Sequence, residues 1–212
     1  MKKFTRGSIR SFVKRFATDG DVLEIGVASN DYDAAFPHRM TLDIDPARTP
    51  DVVADIVHMP FPDNRFDTII CSEVFEHLPD PDEAEKELRR VMKPGGRLIL
   101  TTRFAFPIHD APGDFLRYTP YMLRRLFSDW EIETLEYEAD PFGTVAVLLQ
   151  RIIFQTDLRG GKIVKGIVYL LALLIKAMSP LVIRQYGDIS KKCPVDNMLY
   201  SGIYLACRKP IQ

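Results

Sequence analysis

The stretch DVVADIVHMPFPDNRFDTIICSEVFEHLPDPDEAEKELRRVMKPGGRLILTT, from Asp51 to Thr102, constrains this chain more than any other. It reads as strand, acidic turn, strand, polar rim, capped helix, Pro-Gly-Gly stop and strand. Its apolar runs are continuous rather than alternating, as in strands buried on both faces of a parallel sheet. Acids and a histidine cluster where the strands end, and open parallel α/β sheets bind ligands outside the carboxyl ends of their strands. This block therefore predicts a fold and the edge of it that carries chemistry.

Within the block, Asp80 caps the helix, Pro81 takes its first position and Glu83 completes a capping-box-like pair. Ala84, Leu88, Val91 and Met92 make the buried stripe, and Pro94-Gly95-Gly96 ends the helix. Further apolar runs predict strands at 21–26, 39–43, 131–137 and 198–208, beside those at 51–54, 66–72 and 97–102 inside the block. Thr119-Pro120 opens a helix carrying Leu123, Leu126 and Phe127. Ile9, Phe12, Val13 and Phe16 recur at helical spacing and predict a short amphipathic helix covering one sheet edge. That basic segment lacks the apolar stretch and small-residue cleavage site of a signal peptide. The link VASNDYDAAFPH, Val27 to His38, is too short and polar for a crossover helix. A loop with at most one helical turn is expected there, leaving that side of a cofactor pocket thinly covered.

At 212 residues the chain suits one α/β domain with an extra element. The expected layout is an N-terminal helix over 1–18, a cofactor-binding core over 19–138, a helical insertion or lid over 143–185 and a last strand over 198–208. With 28 basic against 29 acidic residues there is no global basic field, so nucleic acid is not an expected partner. Cys71, Cys193 and Cys207 are widely spaced, which suits reduced thiols in the cytoplasm and offers no metal-ligand pattern; no metal is expected.

Five ordered signals, VLEIG, LDIDP, ADIVHMPFPDNRFD, SEVFEHLPDP and RVMKPGGRLILTT, resemble the class I S-adenosylmethionine-dependent methyltransferases. The likeness is to the subgroup with a Leu-Pro-Phe motif before the fourth strand, and it runs from Asp21 to Phe127. It implies a Rossmann-like, seven-stranded, mainly parallel sheet with a reversed last strand, helices on both faces, and S-adenosylmethionine as cofactor. On that pattern Glu24 orients the amino-acid moiety, and Gly26, lacking a side chain, permits a close backbone approach beside the small Ala28. Asp43, with Ile44 next to it, ends the second strand where a carboxylate can accept both ribose hydroxyls; Asp45 is the competing acid. Asp55 accepts the adenine amino group with Ile56 against the ring, and Ser72 and Glu73 face the methyl end. The glycine loop reads Glu24, Gly26, Ala28, Asn30 where the family has acid-x-Gly-x-Gly-x-Gly.

The segment FPIHDAPGDFLR, Phe106 to Arg117, follows the fifth strand at the carboxyl edge and is the candidate for acceptor chemistry. It resembles a His-x-x-Pro-x-Asp-aromatic-x-Arg-aromatic-Thr run in a branch often associated with bacterial glycan or surface-polymer biosynthesis. His109, Asp114 and Arg117 are the catalytic candidates, with His109 as base. The plainer reading has Asp114 and Arg117 pairing to stiffen the loop. Glu76 and His77 read as local hydrogen bonding in the turn before the capped helix.

Gly143 to Ile183 is apolar, and Leu158 to Gly187 contains no acid while Arg159, Lys162, Lys165, Lys176 and Arg184 are basic. The uninterrupted run GIVYLLALLI falls well short of the roughly 20 residues that span a bilayer. It reads either as a packed helix, lid or dimer face, or as an interfacial helix on an anionic membrane making contact through 162–184. The expected function is methyl transfer to a small-molecule or glycan acceptor, lipid-linked if the membrane reading holds, by a cytoplasmic or membrane-peripheral enzyme. The alternatives are a non-catalytic binding module on the same fold, suggested by Ala28 and Asn30, and a nicotinamide-dependent oxidoreductase. The latter is disfavoured because Gly-x-Gly-x-x-Gly is lacking.

Overall fold

Continuous apolar runs ending in acids give the strands of a single large sheet. In the computed structural model, which describes residues 3–27, 32 and 34–211, these are β1 (Val22–Ile25), β2 (Arg39–Asp43), β3 (Val52–Val53), β4 (Phe66–Ser72), β5 (Met92–Arg103), β6 (Glu131–Tyr137) and β9 (Gly202–Arg208). They pair in the order β3-β2-β1-β4-β5-β9-β6. All contacts from β3 to β5 are parallel, whereas β9 runs antiparallel to both β5 and β6. This is the expected Rossmann-like sheet with a reversed last strand. The chain moves outward from β1 in both directions, to β2 and to β4, so the crevice at their carboxyl ends is a topological switch point. A small antiparallel pair, β7 (Gln185–Tyr186) and β8 (Pro194–Val195), stands apart.

Side chains alternate across each strand, so the sheet has two buried faces. On one, Leu23, Ile69, Leu98 and Leu205 meet Ala84, Leu88 and Val91 of α2 (Pro81–Val91) and Leu123 of α3 (Pro120–Leu126). Both helices start as the sequence predicts. Asp80 accepts the amides of Asp82 and Glu83 at 3.1 and 3.3 Å, and Thr119 Oγ1 accepts that of Met122 at 3.2 Å.

On the other face, Val22, Ile70, Ile99 and Ala206 are covered by Ile9, Phe12 and Val13 of α1 (Arg6–Lys14), together with Tyr32 and Phe36. The sequence suggested a helix at a sheet edge; α1 instead lies over the central strands. The reason is the short β1–β2 link, which has no helix among its described residues. The apolar face that a crossover helix would shield is left for α1 to cover.

Pro94-Gly95-Gly96 lies inside a strand and not at the end of the helix. Helix α2 passes directly into β5, which begins at Met92, and the three residues form an irregular start to the strand instead of a loop. Gly95 takes φ +74° and donates its amide to the carbonyl of Lys209 at 2.9 Å.

The apolar segment beyond β6 is a pair of packed helices, α4 (Pro141–Gln155) and α5 (Gly161–Lys176), with Asp140 capping α4 through the amide of Gly143 at 2.8 Å. Ala172 faces inward from α5, while Ile163, Ile167, Leu170, Leu171 and Leu174 are exposed along one stripe. With the short turn that follows, the helical stretch Gly161–Leu181 has 21 residues and is long and apolar enough to cross a membrane. The expectation from the GIVYLLALLI run alone was too short. Lys162, Lys165 and Lys176 are carried on the same helical stretch, which is therefore longer than the uninterrupted apolar run.

Candidate active site

A cleft of about 910 Å³ lies over the carboxyl ends of β1, β2 and β4 and is closed by the Phe106–Arg117 loop and by Arg151 of α4. Its first half is built by residues close to strand ends. Gly26 turns the chain after β1 at φ +79°, and a Cβ there would sit 2.5 Å from Val74 Cγ2. Both the backbone and the space therefore demand glycine. The buried Asp43 carboxylate accepts the amides of Val27 at 2.8 Å and Asp45 at 2.9 Å, tying the turn after β1 to the turn after β2. Arg48 Nε stands 3.7 Å away. Asp45 caps the next turn through the amide of Ala47 at 2.9 Å. Ile44 is exposed on the cleft rim, Asp55 accepts the Val57 amide at 3.1 Å, and Ile56 lines the wall beside it.

Further along, Ser72 Oγ is 2.9 Å from Thr101 Oγ1, and Thr101 also donates to Glu73 at 3.0 Å. Glu73 sits in the left-handed region at φ +60°, a conformation that costs a non-glycine residue about 1 kcal/mol or more. Its carboxylate pairs with Arg103, which is itself buried and bonded to Glu138 at 2.6 Å. Burial pushes the Glu73 carboxyl up to about 8, against the pull of Arg103.

Glu24 stands elsewhere. It shares the α1-facing side of β1 with Val22, is buried, pairs with Arg39 and is not part of the cleft wall. Ala28 lies outside the described residues.

The second half of the cleft is assembled from the loop. Arg117 grips Asp114 with both terminal nitrogens, at 2.6 and 2.8 Å, and donates to the carbonyls of Phe106, Pro107 and Leu116. The same Asp114 accepts the His109 amide at 2.8 Å. Hydrogen bonds from Arg117 hold the Asp114 carboxyl far below the usual carboxylate range. Asp114 and Arg117 stand behind the wall; of the three candidates only His109 lines the cleft, with Asp110 and Gly113 beside it. Geometrically the pair is the loop clamp of the plainer reading.

His109 meets two residues to which the sequence assigned no chemistry. Its Nε2 is 3.8 Å from Glu76 Oε1, and its ring lies edge-on to His77 with centroids 4.9 Å apart. Burial lowers its pKa, with Asp114 opposing, so the imidazole is neutral at pH 7. The Glu76 carbonyl accepts the amides of Phe115 and Leu116 at 2.9 and 3.0 Å, stitching the loop to the turn Phe75–His77. Arg103 and Arg151 also went unread, and both guanidinium groups stack on Phe106, at 4.3 and 4.2 Å from its ring centroid. The signal for Glu76 and His77 was present in their nearness to Ser72-Glu73. Arg151 comes from a helix that carries no motif.

Chemically, the cleft offers carboxylates at one end, an apolar slot at Ile56, and a carboxylate–imidazole group at the other. Residues 27–100 match the family model described as a methyltransferase domain. The ubiquinone/menaquinone biosynthesis C-methyltransferase of Haemophilus ducreyi is 46% identical over 59 residues, which are 28% of this chain and 22% of that protein. The chain spans less than a third of the length of the curated relatives it matches. Among solved structures, phosphoethanolamine N-methyltransferase 2 of Haemonchus contortus, bound to S-adenosylhomocysteine, superposes with a TM-score of 0.57 at 15% identity, covering 96% of this chain and 53% of that one. The cyclase SpnF superposes with a TM-score of 0.53 at 17% identity, covering 98% and 81%. The domain match covers about a third of the chain, and the solved structures share its fold.

Proposed function

We propose that this chain transfers a methyl group from S-adenosylmethionine, bound along the carboxyl ends of β1, β2 and β4, to an acceptor entering beneath the Phe106–Arg117 loop. The observation that carries this reading is the continuity of one cleft from Asp43 and Asp55, through Glu73, to His109. Asp43, held by the amides of Val27 and Asp45, would receive the ribose hydroxyls. Asp55 and Ile56 hold the adenine, and Gly26, Ile44 and Ser72 shape the wall between. Glu73, paired with Arg103 on the cleft wall, would stand at the methyl end. Glu24 acts from outside the cleft, by fixing the strand from which the Gly26 turn springs.

Transfer is an in-line displacement, so alignment supplies much of the rate. The acceptor atom bonds to the methyl carbon as the carbon–sulfur bond breaks, and the electron pair stays on sulfur to leave a neutral thioether. His109 is the group of the loop that acts on the acceptor, while Asp114 and Arg117 position it. The polar rim suits a hydroxyl-bearing small molecule or glycan. Calorimetry with S-adenosylhomocysteine is expected to show one micromolar site. Absence of binding, or a preference for a nicotinamide cofactor, overturns the reading; binding without any turnover leaves a binding module.

The exposed stripe of α5 favours a second element. We read α5 as lying on an anionic membrane, with Lys162 and Lys176 at its polar boundary, which makes the enzyme cytoplasmic and membrane-peripheral. Because α4 both packs on α5 and carries Arg151 into the cleft, a lipid-linked acceptor would approach from that side. Co-sedimentation with liposomes that is indifferent to anionic lipid would sink this element alone.

A further inference from the structure

We propose that Glu76, His77 and His109 form a binding site for a divalent transition-metal ion at the acceptor end of the cleft. One ligand atom from each lies within 4.8 Å of the others. The His77 imidazole is set up as a ligand by what holds its other nitrogen. His77 Nδ1 is 2.6 Å from the carbonyl of Gly113, and a carbonyl can only accept, so Nδ1 carries the proton and Nε2 presents its lone pair. His109 Nδ1 stands 3.4 Å from the Asp114 carboxylate without a hydrogen bond to it, and Nε2 is the ring nitrogen that faces Glu76.

The independent observation is Glu76. Its side chain is fully buried, Oε2 accepts from Thr102 at 2.8 Å, and Oε1 has no hydrogen-bond partner among the described residues. That orphan oxygen is the one that faces His109 Nε2. A buried carboxylate oxygen without a donor is costly, and a cation held between it and the two histidine Nε2 atoms removes the cost.

The surrounding charge permits it. Arg103, the nearest buried cation, is matched by Glu73 and Glu138. Arg117 is matched by Asp114. Glu76 adds a carboxyl group to the site, with Arg151 on the same cleft wall. Two nitrogens and one oxygen favour zinc or iron(II), with manganese a weaker fit, over calcium or magnesium, which prefer all-oxygen shells. Metal–ligand bonds of about 2.1 Å require the ligand atoms to close by roughly an ångström, within reach of side-chain rotation.

His77 and His109 line the cleft, so three protein ligands leave coordination positions open toward the acceptor. This role rests on the methyltransferase reading; the metal site itself does not. An acceptor hydroxyl bound there loses its proton to solvent, because a bound divalent ion lowers the pKa of its oxygen. The resulting alkoxide forms the oxygen–methyl bond as the carbon–sulfur pair moves to sulfur. With the ion in place His109 is a ligand, and the ion does the work of a base.

The test is metal binding by the chelator-stripped full chain, followed by paramagnetic resonance for Mn²⁺ and calorimetry for Zn²⁺. One saturable site per chain is expected, weakened at least about 100-fold in His77→Ala and in His109→Ala, and about tenfold in Asp114→Asn, which disturbs the group behind a ligand. Circular dichroism and S-adenosylhomocysteine calorimetry on each variant report folding and the cofactor site separately. No saturable binding of either ion, or binding unchanged in both histidine variants, overturns the metal site whatever the cofactor result. Metal binding that persists without cofactor binding overturns the methyltransferase reading and leaves the site standing.

Discussion

At the cofactor end of the cleft, the facing groups stand within a few residues of strand termini and are held by backbone amides: Asp43 by Val27 and Asp45, Asp55 by Val57. At the acceptor end, the group that faces the cleft depends on a side-chain clamp in its own loop and on a turn far along the chain. His109 is set by Asp114 and by a turn at Glu76, and Arg103 is set by Glu73 and Glu138. The first kind of construction inherits its precision from the sheet. The second inherits it from a loop that has to be clamped, and should fail in a different way.

The largest expected effect breaks the acceptor end alone. His109→Ala should lower turnover on the order of a thousandfold while S-adenosylhomocysteine affinity stays within about threefold, measured by steady-state kinetics beside calorimetry. Asp43→Ala should do the reverse, weakening S-adenosylhomocysteine about 100-fold through loss of charge-assisted hydrogen bonds worth roughly 3 kcal/mol. If both variants moved both quantities equally, the two ends would not be separable. Gly26→Ala is expected to weaken the cofactor by about tenfold, from a left-handed backbone penalty of 1–2 kcal/mol plus the encounter with Val74.

The clamp gives a pH signature. Asp114→Asn should lower stability by about 2 kcal/mol at neutral pH, the range for hydrogen bonds to a charged group. Because the folded pKa of Asp114 is depressed, its contribution is fully present above the ordinary carboxylate value near 4 and is lost as pH falls through the depressed value. The gap in Tm between wild type and variant should therefore be flat from pH 8 to about 4.5 and shrink below. A gap that already narrows at pH 6 would assign it to another group. The smallest effect lies on α5: Lys162→Ala should reduce partitioning to anionic vesicles about fivefold and leave cofactor affinity alone.

The same contrast decides what could be read from the chain. The strand positions, the Asp80 and Thr119 caps and the acids at strand ends are local, so spacing and residue type sufficed for them. The Asp114–Arg117 pair was also legible, since its members are three apart in one loop. Glu76 and His77 were visible only as neighbours in a turn, because their meaning depends on His109 arriving from beyond β5. Arg103 looks like a strand-end cation until Glu138 is brought back by β6. The position of α1 was missed for a further reason: amphipathic spacing shows that a face is buried but not which surface receives it.

The placement of β9 has a consequence for how the molecule is made. This strand lies in the interior of the sheet, between β5 and β6, yet follows both in the chain with two helices intervening. Until it is synthesised, β5 and β6 each present an open hydrogen-bonding edge, and Phe12 of α1 lacks the Tyr204 ring it later packs against at 5.1 Å. A ribosome working at several residues per second leaves that gap open for seconds, during which a passing strand from another molecule can enter it. The window for misassembly is thus set by translation speed over residues 138–208, and slow codons there would cost yield without altering the finished protein.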